Sequence, residues 1–384
     1  MTPALYNVRA VPNSRVAVLF SRASPLINEL GHTINRAGQR RRVKAYVNGD
    51  SGANGWARHA VPLRKKRTRG GFDKSSNLAR RSDGAASLVG RASGYNQRVG
   101  IRLIAMDIDG TLLDSRGNVS EDNARTIAEA AARGIEIVLV TGRRFDFARP
   151  VAERLACDWH LIVNNGALIK SKSGETFLRR LLSGGTARRV LEMTGEYRES
   201  AAVIFDRPHA NQVIMEHIEW DDPHRGGYFR RNREYMAEVE PLENCLDGED
   251  PIQVLYTGPC REMRGAMEAL EDSPGAGEYT LALTEYERRD FSILDVLRRG
   301  VSKGVALEDW ARRRGVERKE VMAIGDNWND REMLEFAGLP VVMGNSIAEL
   351  KSLGYPVTLS NDESGVAEAI RTFAMAGAPR GVAD

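Results

Sequence analysis

Ile101-Arg102-Leu103-Ile104-Ala105-Met106-Asp107-Ile108-Asp109-Gly110-Thr111 is the stretch that decides the fold. Its first six residues form a short, mostly apolar run ending on a carboxylate, the pattern of a strand buried on both faces of a parallel sheet. Asp107 and Asp109 are two residues apart, so an extended chain puts both carboxylates on one side. Gly110 allows a sharp turn, and Thr111 is placed to orient the loop. Ser120 then reads as a helix N-cap, with Glu121 and Asp122 in the first turn. The expected inward stripe of that helix is Ala124, Ile127, Ala128 and Ala131, and Gly134 stops it. Residues 135–140 form the next apolar run, ending at Thr141. This is a βαβ unit with polar residues at the strand C-termini, where open α/β sheets hold their ligands.

The same texture returns near Ser302. A helix is expected over 303–314, placing the Lys303 ammonium beside a helix N-terminus, a natural phosphate seat. A strand over 321–324 runs into Gly325-Asp326, followed by a helix over 330–336, a strand over 340–343 and two more α/β elements ending near 373. The fold class is therefore α/β, a Rossmann-like doubly wound parallel sheet. Residues 100–166 and 299–375 form this core, and 167–298 form an inserted α/β domain large enough to fold around its own core. Within the insert, helices are expected over 186–199 and 261–270. Strands are expected over 201–205, 212–215, 252–256, 279–283 and 291–296. Hinges are expected at 164–167 and 299–301.

Four segments carry the chemistry: Asp107-Ile108-Asp109-Gly110-Thr111, Thr141-Gly142-Arg143, Ser302-Lys303-Gly304 and Gly325-Asp326-Asn327-Trp328-Asn329-Asp330. Alone, the first is a solvated Asp-Gly turn as readily as a site, and the third carries almost no information. The fourth suggests a calcium loop, but no downstream Glu completes an EF-hand. In this order, at strand ends, the four resemble the haloacid dehalogenase superfamily of phosphohydrolases, in its Cof-type subfamily with an α/β cap between the second and third motifs. The resemblance spans about residues 101–373. It implies Asp107 as nucleophile and Asp109 as the acid that protonates the leaving oxygen and later activates water. It implies Thr141 and Lys303 on the transferring phosphoryl oxygens. It also implies Mg²⁺ held by Asp107, the Asp109 backbone carbonyl and Asp326, with Asp330 supporting that shell. Gly142, Arg143, Asn165 and Asn329 are the implied substrate contacts, though Arg143 could equally pair with an acidic neighbour.

Elementary chemistry points the same way. A carboxylate attacking a phosphate dianion faces charge repulsion, so a hard cation with oxygen ligands belongs between them. Lys303 adds positive charge where the equatorial oxygens gather negative charge. Asp109 has to hold a proton, which crowding by Asp107 and Asp326 favours.

Composition bounds the remainder. Net charge is +3, yet residues 1–99 carry 19 Lys+Arg against 4 Asp+Glu and the remainder 36 against 48. The first 99 residues hold too little apolar content to offset backbone ordering, so a disordered basic extension is expected there, and 376–384 read as a tail. That extension is ranked first as an inert tail or misassigned start, second as a transit peptide, and last as a nucleic-acid-binding arm, since its basic runs lack interleaved aromatics. Cys157, Cys245 and Cys260 show no ligand spacing and read as reduced thiols of a cytoplasmic protein. No apolar run nears the ~18–20 residues of a membrane span. His209, His217 and His224, and Arg225, Arg230, Arg231 and Arg233, read as exposed polar surface.

The expected function is a Mg²⁺-dependent phosphatase of a small phosphorylated metabolite, acting as monomer or homodimer. A phosphosugar mutase is the alternative within enzymes, and a nucleic-acid-binding or regulatory protein using the basic arm is the alternative outside them.

Overall fold

The computed structural model describes residues 100–286 and 289–375. The expected extension over 1–99 and tail over 376–384 fall outside that range, as do the readings placed on them. The first strand, β1 (Leu103–Met106), is buried along its whole length. Ile104 and Met106 join one apolar cluster, and Leu103 and Ala105 join another on the opposite face. Helix α1 (Glu121–Ala132) starts at Ser120, whose hydroxyl accepts from the Asn123 N–H at 3.1 Å. Its buried face is Asn123, Thr126, Ile127 and Ala130, about a third of a turn from the expected stripe. The two polar residues are accommodated because Asn123 accepts from the Ala367 N–H and Thr126 accepts from Arg371.

Next come β2 (Glu136–Val140), α2 (Phe145–Ala152) and β3 (His160–Val163). A turn through Asn164–Gly166 then folds the chain into two antiparallel strands, β4 (Leu168–Ser171) and β5 (Thr176–Arg179). These strands lie in residues assigned from sequence to the insert. Pairing instead places them on the edge of the first sheet, so the expected change of domain at 166–167 precedes the change of sheet. A hairpin extending an edge carries no motif of its own, which is why the sequence pattern misses it.

The second sheet takes its strands from β6 (Ala201–Ile204), β7 (Val213–Met215), β8 (Met236–Glu238), β9 (Gln253–Gly258), β10 (Tyr279–Tyr286) and β11 (Phe291–Arg298), in the order β10-β11-β9-β6-β7-β8. Helices α3 (Gly184–Met193) and α5 (Cys260–Glu271) cover one face, through Val190, Leu191, Met263 and Leu270. The other face presents Ala202, Ile204, Val213, Met215 and Leu255, which belong to the same apolar cluster as Ile104 and Met106 of the first sheet. A helix, α4 (Gly226–Asn232), forms in the stretch whose arginines read as exposed polar surface, because burying Phe229 on this face outweighs the helix-breaking pair Gly226-Gly227.

The chain returns to the first sheet through α6 (Lys303–Arg314), β12 (Val321–Gly325), α7 (Arg331–Phe336) and β13 (Leu339–Val342), and ends with α8 (Ala348–Lys351) and α9 (Gly365–Ala369). The strand order β13-β12-β1-β2-β3-β4-β5 is parallel from β13 through β3. Helices lie on both faces: α1, α2 and α9 on one, α6 and α7 on the other. The doubly wound core is as expected.

Candidate active site

The C-terminal ends of β1, β2 and β12 lie side by side and deliver Asp107, Thr141 and Asp326 to one place. Asp107 is buried and Asp109 partly exposed, with fully buried Ile108 between them pointing into the core. Gly110 then turns at φ +83°, and a Cβ there would lie 2.4 Å from an Asp326 carboxylate oxygen. Only glycine lets these two loops approach so closely. Thr111 fastens them together by donating to Asp326 Oδ1 at 2.8 Å.

Lys303 opens α6, capped by the Ser302 hydroxyl, which accepts from the Val305 N–H. At Gly304 a Cβ would meet the Glu332 backbone at 2.5 Å, so α6 packs tightly on α7 and carries Lys303 inward. The ammonium donates to Asp107 at 2.7 Å and to Asp330 at 2.6 Å, with 2 % of the side chain exposed. Asp330 turns its other oxygen to the Asp326 and Asn327 N–H groups, both at 3.0 Å.

Carboxylate oxygens of Asp107, Asp326 and Asp330 all lie within 4.8 Å of one another. Three carboxylates thus share one ammonium, leaving negative charge in excess. Burial pushes the Asp107 carboxyl well above the usual carboxylate range; Lys303 opposes this, while Asp330, Asp326 and Asp109 add to it. Asp326 is pushed up to about 7 by burial and by Asp330. Burial disfavours the Lys303 ammonium, but Asp107 and Asp330 outweigh it and hold the group charged above the ordinary lysine range. A hard divalent cation fits this donor set, which is all oxygen and carries uncompensated charge. Asp107 and Asp326 each keep an oxygen outside the Lys303 and Thr111 bonds, whereas Asp330 spends both on Lys303 and the backbone.

Asp109 is gripped by Arg143, whose Nε and Nη2 donate to its two oxygens at 2.7 and 2.6 Å. Of the two roles left open for Arg143, the acidic pairing is the one present in this structure. Thr141 is buried and accepts from the Arg143 N–H through its hydroxyl at 3.1 Å. Gly142 leaves room for Asn165, since a Cβ would lie 3.1 Å from the Asn165 Oδ1. Asn329 sits in the turn Trp328–Asp330 that links Asp326 to Asp330.

Two parts of the site went unread in the sequence. Asn165 donates to Asp295 of β11 at 2.7 Å, Gln253 of β9 donates to the other Asp295 oxygen at 2.6 Å, and Asn164 donates to Gln253 at 3.2 Å. This fully buried chain of amides joins the second sheet to the turn after β3, leaving the Asn165 Oδ1 without a partner beside Gly142. Tyr286, at the end of β10, lies close enough to Asp109, Asp107, Arg143 and Lys303 for their charges to act on its hydroxyl. Neither feature belongs to a motif, and only long-range pairing brings them to the strand ends. His209, His217 and His224 are all exposed, and among the described residues the only cluster able to hold a metal is the acidic one. Arg225 pairs with Asp222, and Arg233 stacks over Trp220. No helix among the described residues is long and apolar enough to cross a membrane.

Residues 104–370 match the family model described as haloacid dehalogenase-like hydrolase. Among curated relatives, the 5-amino-6-(5-phospho-D-ribitylamino)uracil phosphatase YcsE of Bacillus subtilis is 31% identical over 277 residues, covering 72% of this chain and 97% of that protein. Phosphatase YwpJ of Bacillus subtilis is 27% identical over 286 residues, covering 71% of this chain and 99% of that one. Among solved structures, a haloacid dehalogenase-like hydrolase from Bacteroides thetaiotaomicron superposes with a TM-score of 0.60 at 26% identity, over 71% of this chain and 99% of that one.

Proposed function

Because the chain belongs to the haloacid dehalogenase-like hydrolases, we propose that it is a Mg²⁺-dependent phosphatase that hydrolyses a small phosphomonoester, a sugar phosphate or nucleotide-like compound, through an aspartyl-phosphate intermediate. One observation carries this reading: a buried lysine bridges Asp107 at a strand end and Asp330 in the turn after β12, with a third carboxylate, Asp326, beside them. That arrangement costs stability unless a cation and an anionic ligand complete it. Asp107 and Asp326 would hold the cation, with Asp330 fixing the loop beneath. Bound there, Mg²⁺ supplies positive charge that lets a carboxylate approach a phosphate dianion.

The remaining steps belong to the chain. An Asp107 oxygen attacks phosphorus and forms the acyl-phosphate bond as the ester P–O bond breaks. The leaving oxygen takes a proton from Asp109, worth ~10²–10⁴-fold. Water then attacks phosphorus, Asp109 takes back a proton, and inorganic phosphate and free Asp107 result. To carry that proton, Asp109 must give up at least one Arg143 bond, so substrate binding and release of this pair go together. Lys303 and the Thr141 hydroxyl face the phosphoryl oxygens. The second sheet acts as the cap: its inner face and Tyr286 roof the strand ends, which favours small substrates.

The test is phosphate release by the full chain from a panel of metabolite phosphomonoesters, with and without Mg²⁺. Mg²⁺-dependent release from at least one compound is expected. Isomerised hexose phosphate accumulating without free phosphate would replace the phosphatase by a mutase. Catalytic silence combined with salt-sensitive DNA binding that vanishes with residues 1–98 would point to the nucleic-acid reading.

A further inference from the structure

Three aromatic rings line one wall beside the acidic cluster and take no part in the chemistry above. Tyr286 and Phe291 are directly paired across the β10–β11 hairpin, with ring centroids 6.1 Å apart and planes inclined by 29°. Tyr228 of α4 adds a third ring, 6.4 Å from Phe291 and inclined by 34°. Such shallow angles tile the rings into a surface, unlike the edge-to-face contact of Phe147 with Tyr235 at 64°.

The wall faces the chemistry. Along β11, side chains alternate between faces, so Phe291 shares a face with Asp295, which reaches Asn165 on the first sheet. Tyr286 lies within reach of the charges of Asp107, Asp109, Arg143 and Lys303. Tyr286 and Phe291 remain partly exposed, and so does Tyr228 although it also packs on the core, whereas Phe205, Phe229 and Tyr256 of the same region are fully buried. Rings that served only to pack the sheet would have been covered as those are. A fourth ring, Trp328, is 48% exposed in the turn carrying Asp330, alongside β10. Beside Gly142, the unpartnered Asn165 Oδ1 is an acceptor waiting for a donor. Its Nδ2 is committed to Asp295, so it suits a hydroxyl between the phosphate and whatever lies on the rings.

We infer that the substrate is a phosphomonoester whose alcohol carries a flat heteroaromatic ring, joined to the phosphate through a hydroxylated linker, and that this ring stacks on Phe291, Tyr286 and Tyr228. This rests on the phosphatase reading and selects the nucleotide-like class over plain sugar phosphates. Stacking of a base on one aromatic side chain corresponds to roughly tenfold or more in binding.

The experiment compares kcat/KM of the full chain for uridine 5′-monophosphate and flavin mononucleotide with that for ribose 5-phosphate, which keeps the phosphate and the linker hydroxyls but lacks the ring. At least a tenfold preference for one ring-bearing compound is expected. Phe291→Leu and Tyr286→Leu should each cut that preference at least fivefold, with Tyr286→Phe restoring most of it. Calorimetric binding of the same three compounds to Asp107→Asn protein reads the wall without turnover and should show the same order. Ribose 5-phosphate equal to or better than both ring compounds, or a preference unmoved in both leucine variants, overturns the inference while leaving a phosphatase in place. Ring-selective binding without phosphate release from any compound would sustain the wall and sink the phosphatase.

Discussion

Two buried polar clusters lie at the strand ends of the first sheet, and they follow opposite rules. On one side Asp107, Asp326 and Asp330 crowd around a single Lys303. On the other, Asn165 and Gln253 donate to a single Asp295, and Asn164 donates to Gln253 behind them. The first is three carboxylates to one cation; the second is three amides to one carboxylate. Charge crowding weakens a fold, and it persists where a ligand of opposite charge completes it. Amides hold geometry without calling for a ligand, and here they tie the second sheet to the turn that follows β3. The first cluster is therefore a seat for ions and the second a joint between sheets. Substitutions in the two should fail in different ways.

The largest effect belongs to the nucleophile. Asp107→Asn should lower kcat by at least about 10⁴-fold, the scale seen when a covalent nucleophile is removed. The amide oxygen can still accept from Lys303, and one of three crowded charges disappears, so the melting temperature should hold or rise. Phosphate-release assays and thermal melts check both halves. Sustained turnover by pure Asp107→Asn protein would remove the covalent step.

Second in size is Lys303→Met. It leaves Asp107 and Asp330 buried without their cation, which costs ~3–5 kcal/mol for a broken buried pair. Added Mg²⁺ should stabilise this variant more than the wild type, because it then meets the larger charge excess. Denaturant melts with Mg²⁺ and with chelator measure the difference. Equal Mg²⁺ stabilisation of both proteins would mean that the cation binds away from Lys303.

The contrast between the clusters is also a contrast in legibility. Asp107, Thr141, Lys303 and Asp326 sit where a strand or helix pattern ends, and a parallel sheet brings such ends together whatever lies between. Local periodicity therefore brings these four together, while Asp330 joins them only through the resemblance of its motif. The Asn165 position was reachable as a strand end, but its partner Asp295 was not. Asp295 looks like an ordinary polar interruption in an apolar strand until β11 is folded back across the first sheet. Tyr286 is hidden for the same reason, since nothing local says which face of a hairpin meets the site. The Arg143–Asp109 pair was undecidable because both roles ask for the same guanidinium. Helix α4 was missed because Gly226-Gly227 argues against a helix and only tertiary burial of Phe229 argues for one.

The smallest effect tests the joint. Burial pushes the Asp295 carboxyl up to about 7, with the Asn165 hydrogen bond opposing the rise. An unfolded Asp titrates near ~3.9. Between those two values the folded chain keeps a proton that the unfolded chain has lost. Stability from this group is therefore fully present below about pH 4 and drains away as pH rises through 7, with a slope of at most ~1.4 kcal/mol per pH unit. Asp295→Asn is neutral at every pH. Asn165 can turn its amide to offer Oδ1 to the new Nδ2, so the joint should survive. The difference in unfolding free energy between wild type and variant should then change across pH 4–7 and stay flat above 8, measured at saturating Mg²⁺ so that the first cluster contributes equally to both. A difference that is flat throughout would mean that Asp295 stays ionised in the fold. The joint would then carry a buried charge of its own, and the contrast with the ion seat would narrow to one of number rather than kind.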